Sequence, residues 1–367
     1  MVIGLYLPSA VYADSSTIRF KSEGTNIKVE RVAKGLNIPW AMTFISATKL
    51  LVTERKGSIL LLDLVRSTKT ILKNSPNVMA EGQGGMLDIA LSPTYKSSGW
   101  IYFTYVKEIY DQGVTVLARA KLKEDEFYNW QELLITKSSS DTSHHFGSRI
   151  AFDEKGHIFF GIGDRGERTN GQDLTTHAGS IIRLNLDGSI PKDNPFVDSK
   201  TILPEIWSYG HRNPQGLAYD HKTNRLWEIE HGPRGGDEIN LIKAGANYGW
   251  PIISYGKEYW GPIAVGEGTH RKGMEQPIKI YDPSIAPGSL LIYSGSAFPK
   301  WQGSLFSGAL ILRHINRITL NASGKAIKEE RLLVSLDERI RALIQSPEGW
   351  LYFSTDSGKI YRLKPAD

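Results

Sequence analysis

The chain has 367 residues, of which 40% are hydrophobic and 23% charged, and it carries a formal net charge of +5. These proportions describe an ordinary globular chain, and the scattered basic excess, without a Lys/Arg run or a binding motif, excludes nucleic acid as an expected partner. The absence of cysteine removes disulfides, thiolate metal sites and cysteine nucleophiles from consideration.

In chain order, residues 2–11 are mostly apolar, and Val11-Tyr12-Ala13 before Asp14 has the small-residue pattern of an export-signal cleavage site. The run is too short to span a bilayer. We therefore expect a signal remnant over 1–13, an N-terminal extension over 14–28, a single catalytic domain over 29–367, and a periplasmic or extracellular location.

A phrase then recurs: an alternating apolar strand, a Gly- or Asn-containing turn, an aromatic-rich strand, and a polar turn into a third. It occupies residues 40–62, 87–105, 149–164 (RIAFDEKGHIFFGIGD), 216–230 (GLAYDHKTNRLWEIE), a degenerate copy at 289–310, and 340–363. Period-2 alternation rich in β-branched and aromatic residues predicts strands, and SPEG, DEKG and Asp187-Gly188 are hairpin turns. Six copies of about four strands each predict an all-β chain, a six-bladed β-propeller with four-stranded antiparallel blades. Residues 164–180 and 251–287 break the repeat and predict long loops on one face, where binding sites form.

Polar residues beside the innermost strands of such a ring face one mouth of its channel. Gln83, Asp88, His145, Asp164, Arg212, Arg339 and Arg341 come from different repeats and so are expected to converge there. His145 suits a general base, with Asp164 returned to it by a hairpin. His144 and His145, as neighbours on a strand, point to opposite faces and cannot share a metal. Arg339 and Arg341 flank Ile340, so both guanidiniums face one side. That is unfavourable without an anion between them, which is either a carboxylate-bearing ligand or, on a solvated edge, Asp337 and Glu338. In 210–250 an Arg-Asn pair (Arg212, Asn213) precedes Gly232-Pro233, whose bare carbonyls suit a hard cation such as Ca²⁺. Asp237, Glu238, Tyr248 and Trp250 follow. An anion receptor beside an oxygen-rich cation site suggests an acidic cofactor bridged by a metal.

The motifs GHRNPQG, HGPRGGDEIN, NYGWP, HFGSR, GIGD and Arg339-Ile340-Arg341 resemble those of the soluble quinoprotein sugar dehydrogenases. That family comprises the soluble glucose dehydrogenase and the aldose sugar dehydrogenases, which use pyrroloquinoline quinone (PQQ) and Ca²⁺ on a six-bladed propeller. The resemblance covers residues 29–363. It implies oxidation of the C1 hydroxyl of aldose sugars to lactones, with electrons passed to an external acceptor; the sequence itself leaves monomer or homodimer open and offers no membrane span. It implies that His145 is the base, Asp164 its support and Gln83 a contact to substrate and cofactor. By the same resemblance Arg212 and Asn213 grip the quinone edge and Arg339 and Arg341 bind its carboxylates, with Tyr259 a further cofactor contact. Gly232 and Pro233 correspond to carbonyl ligands of the catalytic Ca²⁺, and Glu238 and Tyr248 to ligands of a second Ca²⁺.

One position departs. Where the family carries a cofactor-binding lysine this chain has Ile311, and Arg313, two residues on along the expected strand, is the replacement candidate. Two other readings stay open: a Ca²⁺-dependent sugar lactonase, for which Asn213 and Asp88 are the only axial candidates, and a propeller binding module without catalysis.

Overall fold

The computed structural model describes residues 18–366. The export-signal segment, 1–13, lies outside the described residues.

The strands form six antiparallel sheets. Five are four-stranded, spanning 39–71, 86–135, 150–209, 214–281 and 291–332, and are called blades 1 to 5. Blade 6 is made from both ends of the described chain. Its strands Ile340–Gln345, Leu351–Thr355 and Lys359–Pro365 are joined by Thr25–Ala33, which pairs with Lys359–Pro365 in the register Val29↔Leu363, and then by Ile18–Ser22. Residues 18–28 of the expected extension are thus strands of this sheet, and the ring has no open end between first and last blade. The first strand of each blade touches the first strand of the next, and Ile340–Gln345 of blade 6 touches Pro39–Ser46 of blade 1. The six-bladed propeller expected from the repeat is the fold observed.

Period-2 alternation serves a blade in a particular way. In blade 1, Leu51 packs toward blade 2 beside Leu87 and Phe103. Its neighbours Leu50 and Val52 pack on the other face, toward blade 6, beside Tyr352 and Ile360. The same split occurs at Ile101 and Phe103 against Tyr102. The middle strands of blades 1 and 2 are therefore apolar on both faces, each buried aliphatic side chain contributing about 1.5–3 kcal/mol.

The ring axis is filled by one side chain. Arg149 of blade 3 is buried and donates to Asp88 Oδ1 of blade 2 at 3.0 Å. It also donates to the carbonyls of Trp40 (3.1 Å), Gln215 (3.3 Å), Gly288 (2.8 Å) and Arg341 (3.2 Å). Those partners belong to, or lead into, blades 1, 4, 5 and 6. Its guanidinium also lies 3.9 Å from the centre of the Trp40 ring. One planar fork thus reaches all six blades.

Candidate active site

In an antiparallel blade the start of the first strand and the end of the second lie at the same rim. Gln83, His145, Arg212, Asn213 and Arg339 precede first strands, whereas Asp164, Gly232, Ile311 and Asp356 follow second strands. That rule, applied around the ring, brings them to one mouth. Two cavities of about 440 and 450 Å³ open there and share Gln83, His231, Ala286 and Ile311. The first is also lined by Arg339, Arg341 and Asp356, and the second by His145, Arg212, Gly232, Pro233 and Tyr259.

His145 Nδ1 lies 2.6 Å from Asp164 Oδ1. Asp164 is 1% exposed; its Oδ2 accepts from Trp250 Nε1 at 2.7 Å and its Oδ1 from the Gly166 N–H at 2.8 Å. Burial pushes this carboxyl up, but the His145 bond, Arg212 and the Gly166 N–H hold it below its usual value. The His145 imidazole is pushed down to about 4, by burial first and by Arg212 next, against the opposing pull of Asp164. It is therefore neutral near pH 7. Gln83 Oε1 fixes the loop by accepting from His145 N at 2.9 Å. Gly163 explains the close approach: a Cβ there would meet His145 O at 2.4 Å and Arg212 O at 2.9 Å.

His144 and His145 are not on a strand, as expected from sequence, but in a loop with His145 at φ 57°. Their rings sit edge to face, 4.7 Å between centroids. Arg165 braces this loop from below, donating to the carbonyls of His144 and Thr142 and lying 3.5 Å from the Phe146 ring.

Arg212 donates to His231 O (3.1 Å) and Gly232 O (2.7 Å), lies 5.3 Å from the Trp250 ring, and has Tyr259 OH 3.4 Å from its Nη2. The Arg212 and Asn213 N–H groups both donate to Glu230 Oε2, at 2.6 and 3.2 Å. Asn213 is 0% exposed and its Nδ2 has no partner, an orphan donor of the kind a ligand satisfies. Asp237 pins the Gly232 turn, accepting from Gly232 N at 3.0 Å and Ala286 N at 2.8 Å.

Gly232, Pro233, Glu238 and Tyr248 come together with Glu230 around a small space of about 20 Å³, room for about one water-sized sphere. The Tyr248 hydroxyl is committed, donating to Leu241 O at 2.6 Å and accepting from Lys243 N at 2.9 Å, so only its carbonyl is left to offer. Behind lie His211, Glu228 and Glu230, with ligand atoms within 4.8 Å of one another. Burial, reinforced by Glu230, drives the carboxyls of Glu228 and Glu238 well above the carboxylate range. The guanidinium that lines this pocket, Arg212, is spent on the carbonyls of His231 and Gly232 rather than on a carboxylate, so the acid-rich pocket is relieved by a cation or by a proton.

Arg339 and Arg341 share Asp356. Arg339 Nε donates to Oδ2 at 3.0 Å, and Arg341 donates from Nε to Oδ1 and from Nη2 to Oδ2, each at 2.9 Å. These arginines hold Asp356 low against its burial. The expected solvated-edge partners go elsewhere: Asp337 to Arg313 at 3.0 Å, and Glu338 to Lys359 at 2.6 Å. Two guanidiniums on one carboxylate leave a net positive charge facing the cavity, which fits an anionic group. Arg313 does not line either cavity. Residues 310–314 form a bend and Arg313 has φ 51°, so strand alternation does not carry it to the Ile311 side. Ile311 itself lines both cavities and is 57% exposed. Asp88 is spent on Arg149 and on the Ile150 N–H (2.7 Å); the axial cage of the lactonase reading is filled by a guanidinium.

Sequence reasoning missed Asp356 and Glu230 as parts of the site, and named Trp250 in the 210–250 cluster without giving it a partner. Asp356 had a signal. The register Ile340↔Thr355 follows from counting the hairpin about SPEG, and it sets Asp356 opposite Arg339. Glu230 had the same kind of signal, since the next-blade hairpin sets it opposite Pro214, whereas Trp250 reaches Asp164 by tertiary packing.

The six-bladed ring thus carries a buried His–Asp pair and arginine-lined cavities at one mouth. Residues 36–362 match the Glucose / Sorbosone dehydrogenase family, and the chain belongs to it. It is 36% identical to the aldose sugar dehydrogenase YliI of Escherichia coli (strain K12) over 98% of this chain and 96% of that one. The solved apo-form of the soluble aldose sugar dehydrogenase from Escherichia coli superposes with a TM-score of 0.89 at 34% identity, covering 93% of this chain and 100% of that one. The PQQ-bound aldose sugar dehydrogenase of Streptomyces coelicolor gives 0.77 at 26% identity, covering 97% and 99%. No helix among the described residues is long and apolar enough to cross a membrane.

Proposed function

We propose that this protein is an exported, PQQ- and Ca²⁺-dependent aldose dehydrogenase that oxidises the C1 hydroxyl of a sugar to the lactone. The observation that carries the reading is the buried His145–Asp164 pair, 2.6 Å apart, opening on a cavity walled by Arg212. The residues fit the cofactor: Arg339 and Arg341 line one cavity and Arg212 the adjoining one, with Gln83, His231, Ala286 and Ile311 common to both, and cations spread over joined cavities suit a flat group bearing carboxylates. Carbonyls at Gly232 and Pro233 supply oxygen donors for the Ca²⁺ beside the cofactor, and the Glu238 carboxyl with the Tyr248 carbonyl supplies them for a second one.

When bound, the quinone would supply the two-electron acceptor for the C1 hydride and Ca²⁺ a Lewis acid at its carbonyl. His145 does the proton chemistry. Asp164 fixes Nδ1 as the protonated nitrogen, so Nε2 is free to take the hydroxyl proton as the C1–O bond gains double-bond character. Asp164 then faces the imidazolium and stabilises it. Gln83, tied to His145 N, lines both cavities and so is placed to touch sugar and cofactor together. Arg212 presents a fixed positive charge where negative charge develops. Tyr259 closes the side of the cavity next to Arg212. The PQQ-bound form of the Streptomyces coelicolor relative supports the same cofactor for this chain.

The test is reconstitution. Cofactor-free protein is given PQQ and Ca²⁺ and assayed by dye reduction on a panel of aldoses, beside His145→Ala. Activity that requires both additions and collapses in the variant is expected. A protein that neither reduces dye nor alters the quinone spectrum would refute it.

A further inference from the structure

The two segments that interrupt the blade repeat, 164–180 and 251–287, meet at a single fork. Arg168 donates from Nη1 to Glu258 Oε1 and from Nη2 to Glu258 Oε2, each at 2.7 Å. This is the parallel two-bond geometry that fixes orientation as well as distance. Glu258 begins a short hairpin. Lys257 exchanges both backbone bonds with Arg234 (3.1 and 3.0 Å), and the Glu258 N–H donates to Ile263 O at 2.8 Å. Beyond that the hairpin tip has little packing: Tyr259 is 65% and Trp260 74% exposed. A segment with few buried contacts opens at low cost unless something ties it down.

Consecutive residues of this tip hold two arginines. Glu258 takes Arg168, and Tyr259 OH lies 3.4 Å from Arg212 Nη2. Both arginines lie over the same indole, Arg168 at 5.7 Å and Arg212 at 5.3 Å from the Trp250 ring. That indole holds Asp164 through Nε1. The fork thus ties the outer hairpin to the set of groups around the His145–Asp164 pair.

We propose that the Arg168–Glu258 fork is a positioning device, closing the hairpin 257–264 over the cavity so that Tyr259 faces Arg212. The fork thereby sets how tightly the cavity holds its cofactor. The cofactor half of the proposal rests on the function proposed above, whereas the closure itself does not. Neither residue lines the cavities, so both act through the hairpin rather than on the reacting atoms. A partly exposed ion pair contributes little to global stability, so its loss should free the hairpin without unfolding the ring.

The experiment uses Glu258→Gln, Arg168→Glu and the exchanged pair R168E/E258R. Amide hydrogen exchange over 257–264 is followed in the cofactor-free protein, and PQQ with Ca²⁺ is titrated by quenching of tryptophan fluorescence. In the single variants exchange over 257–264 should quicken about tenfold and the PQQ Kd rise by about as much, with Tm unchanged. The exchanged pair should restore both. Unchanged exchange in both single variants overturns the closure. Quickened exchange with an unaltered PQQ Kd overturns its bearing on the cofactor. A fall in Tm without a local change in exchange would make the fork an ordinary structural bridge and overturn the proposal. If the wild-type protein binds no PQQ, the proposed function fails and the closure is decided by the exchange data alone.

Discussion

Arg149→Met tests the axis of the ring. The methionine keeps most of the stem volume and loses the fork. The variant leaves Asp88, 7% exposed, with the Ile150 N–H at 2.7 Å and no cation. Breaking a buried pair in this way costs about 3–5 kcal/mol. The carbonyls of Trp40, Gln215, Gly288 and Arg341 lose a donor as well, but Trp40, Gln215 and Arg341 line the open cavity, where water can replace it, so about 4 kcal/mol is the expected total. For a chain of this size that lowers Tm by roughly 5 °C. The double variant R149M/D88N separates the causes. The asparagine side chain still accepts from Ile150 N but carries no charge, so about half the loss should return, leaving the cost of the carbonyls. The assay is urea unfolding followed by tryptophan fluorescence, with Tm alongside. A single variant within about 1 kcal/mol of wild type would show that the six-blade contact is not a stabilising hub. A double variant no more stable than the single would show that the stranded charge is not the cause.

Three further outcomes follow from the site. His145 is held at about 4 against an ordinary 6.5, so between those values the unfolded chain binds a proton that the fold refuses. Stability should therefore fall as pH drops through that window, at up to about 1.4 kcal/mol per unit. An imidazole NMR titration of His145 should show its midpoint at about 4, and a midpoint near the ordinary value would refute the burial argument. Gly232→Ala puts a Cβ 2.2 Å from Gly236 O, so the turn must shift and its carbonyls with it. Calorimetry should show Ca²⁺ affinity falling about tenfold or more, roughly 1.4 kcal/mol, and unaltered affinity would exclude this turn as a ligand. Ile311→Lys adds a cation at a half-exposed point of the arginine-lined cavity and should tighten PQQ about fivefold, near 1 kcal/mol; weaker or equal binding would deny that the carboxylates lie there.

The ring was legible in the sequence because its physics is local. A middle strand of a blade must be apolar on both faces, since Leu51 meets one neighbour and Leu50 and Val52 the other, and the phrase that encodes this recurs at each blade. The last blade was read short for the same reason. Residues 18–28 carry alternation but no copy of the phrase, and only pairing with Lys359–Pro365, more than 300 positions away, makes them part of it. No local signal states that partner.

The site was legible wherever a hairpin count could stand in for distance. His145 and Asp164 flank one hairpin, and Arg339 and Asp356 flank another, although only the first was counted. Reasoning by strand alternation failed at Arg313 and at His144–His145 because those residues are not extended: φ is 51° at Arg313 and 57° at His145. Period-2 arguments lapse where the chain leaves the β region. That failure is informative about chemistry. A non-glycine residue held at positive φ is kept there by its surroundings. At His145 those surroundings are Gln83 Oε1 on its N–H, Asp164 on its ring and Arg165 on the carbonyl before it. Three side chains from two segments, Gln83 on one and the adjacent Asp164 and Arg165 on the other, fix one imidazole and the backbone that carries it toward the cavity.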